Sequence, residues 1–290
     1  AAIHNAMGLV WPSAYARAAG QAPVSLEAGA QRREPVDPTS DRGARVSSPG
    51  IDPGRDPGRA PSGVGASRWR FPDPAGAAPE GVVGFGADLE PATLVHAYRH
   101  GIFPWPHPGA PLPWFSPDPR GVLPLDGLAV SRSLRQRLRR CGWHTTVDQA
   151  FDAVIAACAD RGAAGTWITA PMRAAYRRLH RLGWAHSLEV WADGVLAGGL
   201  YGIGIGGVFT GESMFHRAAD ASKVALVDLV ARLAEAGGSL VDVQVLTPHL
   251  ERLGALEVQR SDYLALLHRV RDDPVRLPEA RRPVAALVDG

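Results

Sequence analysis

Asp193-Gly194 joins two apolar, strand-like runs, Ala185 to Trp191 and Val195 to Tyr201. An Asp-Gly pair between such runs closes a two-residue hairpin, because both positions tolerate positive φ. An antiparallel pair therefore lies at the centre of the chain. Further strand signals at His144 to Val147, Gly207 to Thr210 and Leu240 to Leu246 extend it into a sheet. Helical periodicity marks Arg132 to Arg140, a run through Phe151, Val154, Ile155 and Cys158 capped by Asp148, and a run opening at Pro171. It returns in Ala221 to Ala236, ended by Gly237-Gly238, in Pro248 to Leu253, closed by Gly254, and in Tyr263 to Val270. A mostly antiparallel sheet flanked by helices is an α+β layout.

Upstream, Asp88 caps a short helix through Pro91, Leu94, Val95 and Tyr98 that stops at Gly101. A stiff Pro- and Trp-rich loop follows. Residues 68–118 read as a small N-terminal α/β domain and 119–272 as the main domain. Residues 1–67 are rich in Gly, Pro and Arg, with the near-repeat Asp52-Pro53-Gly54-Arg55, Asp56-Pro57-Gly58-Arg59. Sparse large apolar residues predict a disordered extension there, and a flexible tail over 273–290. A net charge of +2 neither demands nor excludes a nucleic-acid partner, so that argument must be local. Two cysteines, Cys141 and Cys158, make no disulfide framework. No run is long and apolar enough for a membrane span, and no signal-peptide layout opens the chain. A cytoplasmic protein without a membrane partner is expected.

Gly202-Ile203-Gly204-Ile205-Gly206-Gly207 is spelled like a dinucleotide fingerprint. That motif needs a helix after the glycines, to aim its amino end at a pyrophosphate. The strand run Val208-Phe209-Thr210 follows instead, so a tight hairpin turn explains the glycines better. Five arginines crowd Arg132 to Arg140. On a helix Arg132, Arg135 and Arg139 share a face, which suits phosphate contact or plain solvation. Lys223, opening a helix, is a second phosphate candidate. In Leu240 to Leu246, Asp242 and Gln244 point to one face and the valines to the other. An acid and an amide in so apolar a strand must find partners, as a structural pair or as the lining of a cleft. Gly211-Glu212-Ser213-Met214-Phe215 reads as a turn with an exposed acid, or as a cleft edge where Glu212 attracts a cation. Trp167, in Gly165 to Thr169, is core or a stacking surface. The histidines lack metal spacing, so no metal is expected, and Ser213 lacks a GxSxG elbow.

Taken in order, Phe103-Pro104-Trp105, Trp114 to Arg120, Ser131-Arg132-Ser133, Gly165 to Thr169, His186 to Trp191, Gly211 to Phe215, Ala221-Ser222-Lys223 and Asp242 to Leu246 resemble one family. These are the bacterial leucyl/phenylalanyl-tRNA–protein transferases, and the resemblance runs from Phe71 to Val270. It implies a GNAT-like acyltransferase domain. It implies transfer of leucine or phenylalanine, less readily methionine, from aminoacyl-tRNA to proteins beginning with Arg or Lys. The products enter N-degron (N-end rule) degradation. The implied partners are Leu-tRNA or Phe-tRNA and the acceptor protein, with the enzyme a monomer. The donor ester is already activated, so no cofactor is expected.

By the same resemblance, Asp242 hydrogen-bonds Gln244, Gln244 contacts the attacking amine, and Glu212 supplies negative potential for the acceptor's basic terminus. Trp105, Trp167, Leu200, Phe209, Leu229 and Val241 map onto the pocket for the aminoacyl side chain and terminal adenosine. Arg132, Arg139 and Arg140, with Lys223, map onto the acceptor-stem contacts. Leu200 and Leu229 stand where better-known members have Met and Phe, and Thr247, in the same site, stands where Asn is usual. The first two changes stay apolar, so a hydrophobic donor is still expected. The attacking α-amine, with a pKa of about 8, must be neutral, and the enzyme must orient it and stabilise an oxyanion. An acyl-CoA-dependent N-acetyltransferase is one rival, but Ala218-Ala219-Asp220-Ala221 offers no glycine for a pyrophosphate loop. A non-catalytic tRNA-binding module is another, and it would tolerate loss of Asp242 and Gln244.

Overall fold

The Asp193-Gly194 turn closes the central hairpin, with φ of 49° and 77°. The computed structural model describes residues 25–28, 60–107, 109–162 and 165–288. Its first strands are β1 (Val82–Phe85), β2 (Phe103–Pro104), β3 (Pro113–Phe115), β4 (Arg120–Pro124), β5 (His144–Val147) and β6 (Ala185–Ala192). They are followed by β7 (Val195–Ile205), β8 (Val208–His216), β9 (Leu240–Gln244), β10 (Leu256–Val258) and β11 (Arg282–Pro283). The helices are α1 (Pro91–Arg99), α2 (Arg132–Arg140), α3 (Phe151–Ala159), α4 (Ala170–Arg181), α5 (Ala221–Glu235), α6 (Pro248–Glu251) and α7 (Arg260–Val270). No described helix is long and apolar enough to cross a membrane.

β1, β3 and β2 form a small antiparallel sheet beside α1. The other eight strands form one sheet, ordered β10-β4-β9-β8-β7-β6-β5-β11. Its neighbours run antiparallel except β8 and β9, which α5 connects by the crossover that a parallel pair requires. The fold is thus mixed α+β. Helix α5 covers one face of β7: a Cβ on Gly198 would strike Ala221. Helices α3 and α4 cover the other: a Cβ on Gly199 would touch Val154, and Tyr201 meets Tyr176 edge-on at 5.6 Å. Alternation along β7 therefore sends Leu200 toward α5 and Tyr201 toward α4.

Several local expectations shift. Glu90, not Asp88, is the N-cap of α1; Asp88 serves from two residues upstream, accepting from Glu90 N at 3.0 Å and Thr93 Oγ1 at 2.7 Å. Ala150, not Asp148, is the N-cap of α3. Asp148 has φ of 60°, and its carboxylate is turned onto β6, at 2.8 Å from both Ser187 N and His186 Nδ1. β7 runs on to Ile205, so Gly202 and Gly204 lie inside a strand and the turn sits at Gly206-Gly207. A Cβ on Gly202 would come within 2.2 Å of Thr210 O and 2.5 Å of the Phe209 ring, so this glycine permits a close cross-strand approach. β8 runs through Gly211 to Phe215, which is strand and not turn. β9 stops at Gln244, two residues short of Leu246.

The tail expected to be flexible is docked as far as Val288. Arg282–Pro283 pairs with β5 and covers what would be an open sheet edge. Val284 is fully buried. Of the expected N-terminal extension, residues 25–28 and 60–67 also pack on the body. Leu26 is buried, and Ser62 donates its N–H to Leu182 O while accepting from Trp184 Nε1. The remainder, including the near-repeat at 52–59, lies outside the described residues.

Glu189 is buried in β6, accepting from the Thr146 and Ser187 hydroxyls and from Ala150 N. Burial pushes its carboxyl up to about 7, against the pull of those donors. The folded chain then holds a proton that the unfolded chain releases above pH 4.5, so the contribution of Glu189 to stability is full below 4.5 and is lost as pH rises toward 7. Glu189→Gln is expected to flatten that fall by roughly 3 kcal/mol between pH 4.5 and 8. Urea unfolding at the two pH values checks this, and an unchanged slope would contradict it.

Candidate active site

β8 and β9 pair in parallel only as far as Thr210 and Asp242. Both strands then run on, β8 through Glu212 and β9 to Gln244, and their side chains bridge the gap. Gln244 Nε2 donates to Glu212 Oε1 at 2.9 Å. Alternation places Thr210 and Asp242 on the α4 face of the sheet. Glu212, the extra residue of a bulge in β8, and Gln244, past a register shift in β9, join that side through the Tyr176–Glu212–Gln244 hydrogen bonds.

Asp242 is fully buried and receives five hydrogen bonds. Arg120 Nε (2.8 Å) and Gln244 N (2.9 Å) donate to Oδ1. Arg120 Nη2 (2.7 Å), Tyr263 OH (2.9 Å) and Thr210 Oγ1 (3.1 Å) donate to Oδ2. A carboxylate offers about four lone-pair sites, so none is left for a substrate. Arg120 opens β4 with its guanidinium between the Phe103 and Tyr263 rings, 5.0 and 4.4 Å from their centroids. Its Nη1 donates to Gly101 O at 3.0 Å. Burial disfavours its charge, but Asp242 together with Tyr263 and Tyr98 outweighs burial and holds the guanidinium above its ordinary pKa. This buried ion pair fastens β4 and β9 to the chain that follows α1 and, through Tyr263, to α7.

The bond between Asp242 and Gln244 runs through the Gln244 backbone N–H and not through its amide. Gln244 has φ of 65°, a left-handed conformation costing a non-glycine residue about 1–3 kcal/mol. The N–H bond to Asp242 holds it there, and the turn frees the amide to reach Glu212. Glu212 can only accept when ionised, so the Gln244 amide presents Nε2 to it and Oε1 away from it.

Glu212 is not an exposed acid: it is 2% accessible. Tyr98 OH donates to Oε1 at 2.7 Å and Tyr176 OH to Oε2 at 3.0 Å. Burial pushes the Glu212 carboxyl up to about 7, opposed by the two tyrosines and the Gln244 amide and helped by the charge of Asp242. Burial and the Glu212 charge push both tyrosines well above their ordinary range, so they remain neutral donors. The tyrosine oxygens are 2.5 Å apart. With Glu212 ionised, three oxygen contacts share two hydroxyl protons, and a third proton completes the ring. The triangle can take up that one further proton near neutral pH.

Sequence reasoning missed Tyr98, Tyr176, Thr210 and Tyr263, and gave Arg120 no role beyond its motif. Tyrosines on apolar helix faces must find partners for their hydroxyls, but nothing local names the partner. Trp105 and Trp167 stack with centroids 5.1 Å apart, drawn from the segments beside α1 and α4 that also supply Tyr98 and Tyr176. Phe209 and Val241 are cross-strand partners, and with Leu200 they point toward α5, which carries Leu229. The sheet thus separates these four apolar residues from the polar cluster. Thr247 is the N-cap of α6, its Oγ1 accepting from Leu250 N at 3.2 Å. Burial pushes the Cys158 thiol up to about 12, so it is no nucleophile.

Arg132, Arg139 and Arg140 are exposed on α2. Lys223 lies on the first turn of α5 and pairs with Asp220 at 2.9 Å. Between α2 and Asp220 lies a polar depression of ≈ 320 Å³ lined by Ser133, Gln136, Arg137, Arg140 and Cys141. The two basic groups predicted from sequence therefore flank one surface.

The family model described as leucyl/phenylalanyl-tRNA protein transferase matches residues 122–268, and the model for that family's N-terminal domain matches residues 87–118. Curated relatives carry the same description. One from Chromohalobacter salexigens is 56% identical over 214 residues, covering 73% of this chain and 83% of that protein. One from Anaeromyxobacter dehalogenans is 54% identical over 207 residues, covering 70% and 89%. One from Salmonella arizonae is 49% identical over 207 residues, covering 71% and 88%.

Proposed function

The chain belongs to the leucyl/phenylalanyl-tRNA–protein transferase family, and on that premise we propose that its β8–β9 gap is where leucine or phenylalanine passes from aminoacyl-tRNA to a protein. The acceptors begin with Arg or Lys, and the product enters N-degron degradation. Residues 119–272 act as a GNAT-like catalytic domain with 68–118 as its small companion, and the enzyme works as a cytoplasmic monomer. The observation that carries the reading is the Gln244 amide, pinned by Glu212 on one side and by backbone to the saturated Asp242 on the other.

The neutral acceptor amine donates an N–H to Gln244 Oε1, which aims its lone pair at the ester carbonyl. A C–N bond forms, the ester C–O bond breaks, and the proton lost by nitrogen ends on the departing ribose oxygen. Asp242 positions the Gln244 backbone in this scheme. Glu212 keeps the site electronegative for the acceptor's cationic side chain. The donor side chain passes through the gap toward Leu200, Phe209, Leu229 and Val241, while the terminal adenosine lies against Trp105 and Trp167. Thr247 holds the chain leaving β9. Arg132, Arg139, Arg140 and Lys223 meet acceptor-stem phosphates.

The test offers purified protein labelled Leu-tRNA or Phe-tRNA and a peptide beginning with Arg, without ATP or acetyl-CoA. Label is expected on the peptide, with Met-tRNA a slower donor and an Ala-initiated peptide inert. Absence of transfer by folded protein would reject the reading.

A further inference from the structure

We propose that the segment from Pro278 to Val288 is a strap that sets the position of α2 and so controls affinity for the phosphate backbone of tRNA. This rests on the reading of α2 as a tRNA-binding surface. Helix α2 carries five arginines in nine residues and no acid. Like charges three and four residues apart repel, and so short a helix is marginal by itself. Its buried residues are Leu134 and Leu138, one turn apart. The 3-10 turn Val284–Val288 packs along α2 more extensively than any other named element does.

The strap is anchored away from α2. Arg232, fully buried on α5, pairs with Asp228 at 2.8 Å and donates to the carbonyls of Pro278 and Ala280. Arg282 reaches Asp228 at 3.3 Å and Glu235 at 2.6 Å. Asp228 is thus shared by a helix arginine and a strap arginine. The hydrogen-bonded anchors lie at Pro278 to Pro283, and the packing on α2 begins at Val284, whose N–H donates to Trp143 O at 3.0 Å. The strap lies outside residues 122–268, which match the family model. Covering the β5 edge needs only the anchored part; the terminal turn also touches α5 and β11, but its most extensive packing is on α2.

A chain ending at Pro283 keeps the anchors and loses the turn. Compared with the full chain, it loses the buried Val284 and is expected to unfold about 5–10 °C lower while staying folded at the assay temperature. Its dissociation constant for charged tRNA should rise at least tenfold, and its slope of log affinity against log salt should shrink by about two. The kcat at saturating tRNA and the KM for the acceptor peptide should not move. Unchanged tRNA affinity in the folded, shortened chain overturns the proposal. Leu287→Ala with Val288→Ala in the full chain thins the same packing without shortening the protein. It should raise the dissociation constant about threefold, and no rise counts against the strap. Arg132→Ala, Arg139→Ala and Arg140→Ala together test the underlying reading. If they leave tRNA affinity intact, that reading fails; if they weaken it while the shortened chain binds normally, the strap alone fails.

Discussion

Gln244→Ala transfers amino acid at least about 100-fold more slowly than the parent while binding charged tRNA as tightly. The expectation follows from what the amide does. Its Nε2 is fixed by Glu212 at 2.9 Å, so its oxygen is a prepared acceptor for the N–H groups of the incoming amine. Alanine removes that acceptor and leaves the amine free to rotate, and misplacement of about 1 Å at a reacting centre costs about two orders of magnitude. The arginines of α2 are untouched, so tRNA affinity stays. Alanine also sits uneasily at φ of 65°. Gln244→Asn separates the two effects, because asparagine tolerates the left-handed region but is one methylene too short to bridge to Glu212. It should fold like the parent and still lose most transfer. Single-turnover kinetics with filter binding reads both quantities. If either variant keeps transfer within tenfold, Gln244 does not orient the amine.

Arg120→Met is expected to destabilise the fold by about 3–5 kcal/mol, lowering the unfolding midpoint by about 10 °C. The reason is the partner left behind. Asp242 is fully buried, and two of its five hydrogen bonds come from Arg120. Removing one member of such a pair strands a charge in a low-dielectric interior. Adding Asp242→Asn to Arg120→Met removes the stranded charge and should recover much of the lost stability, a coupling that a thermal double-mutant cycle measures. Additive effects on stability would show that Arg120 and Asp242 are independent.

Much of this site is legible in the order of its residues. Strand alternation alone puts Asp242 and Gln244 on one face, and the apolar strand around them demands partners. The ordered motifs then indicate the family. The segments that local reasoning misplaces share one cause. Gly211 to Phe215 resembles a turn, and the Gly202 to Gly207 run a hairpin bend, because glycine is locally ambiguous: it frees a backbone, and it also lets a neighbour approach. Gly202 does the second, admitting the Phe209 ring and the Thr210 carbonyl. The tail from 273 reads as loose because prolines and arginines give no local reason to order. Its reasons are distant: Arg232 and Asp228 on α5, and the edge of β5.

The sequence by itself determined the elements, the central hairpin, the arginine helix and the residue types of the site, since turn chemistry and side-chain period act over a few residues. Only the tertiary structure decided which donor meets which carboxylate. Tyr98 reaches Glu212 across 114 residues of chain, and Arg120 reaches Asp242 across 122. Those meetings depend on where the parallel β8–β9 ladder stops, which is set by the crossover through α5 and the packing of the whole sheet. That register turned Glu212 from an exposed acid into a buried one, and Asp242 from one half of an unplaced polar pair into an anchor with no lone pair to spare.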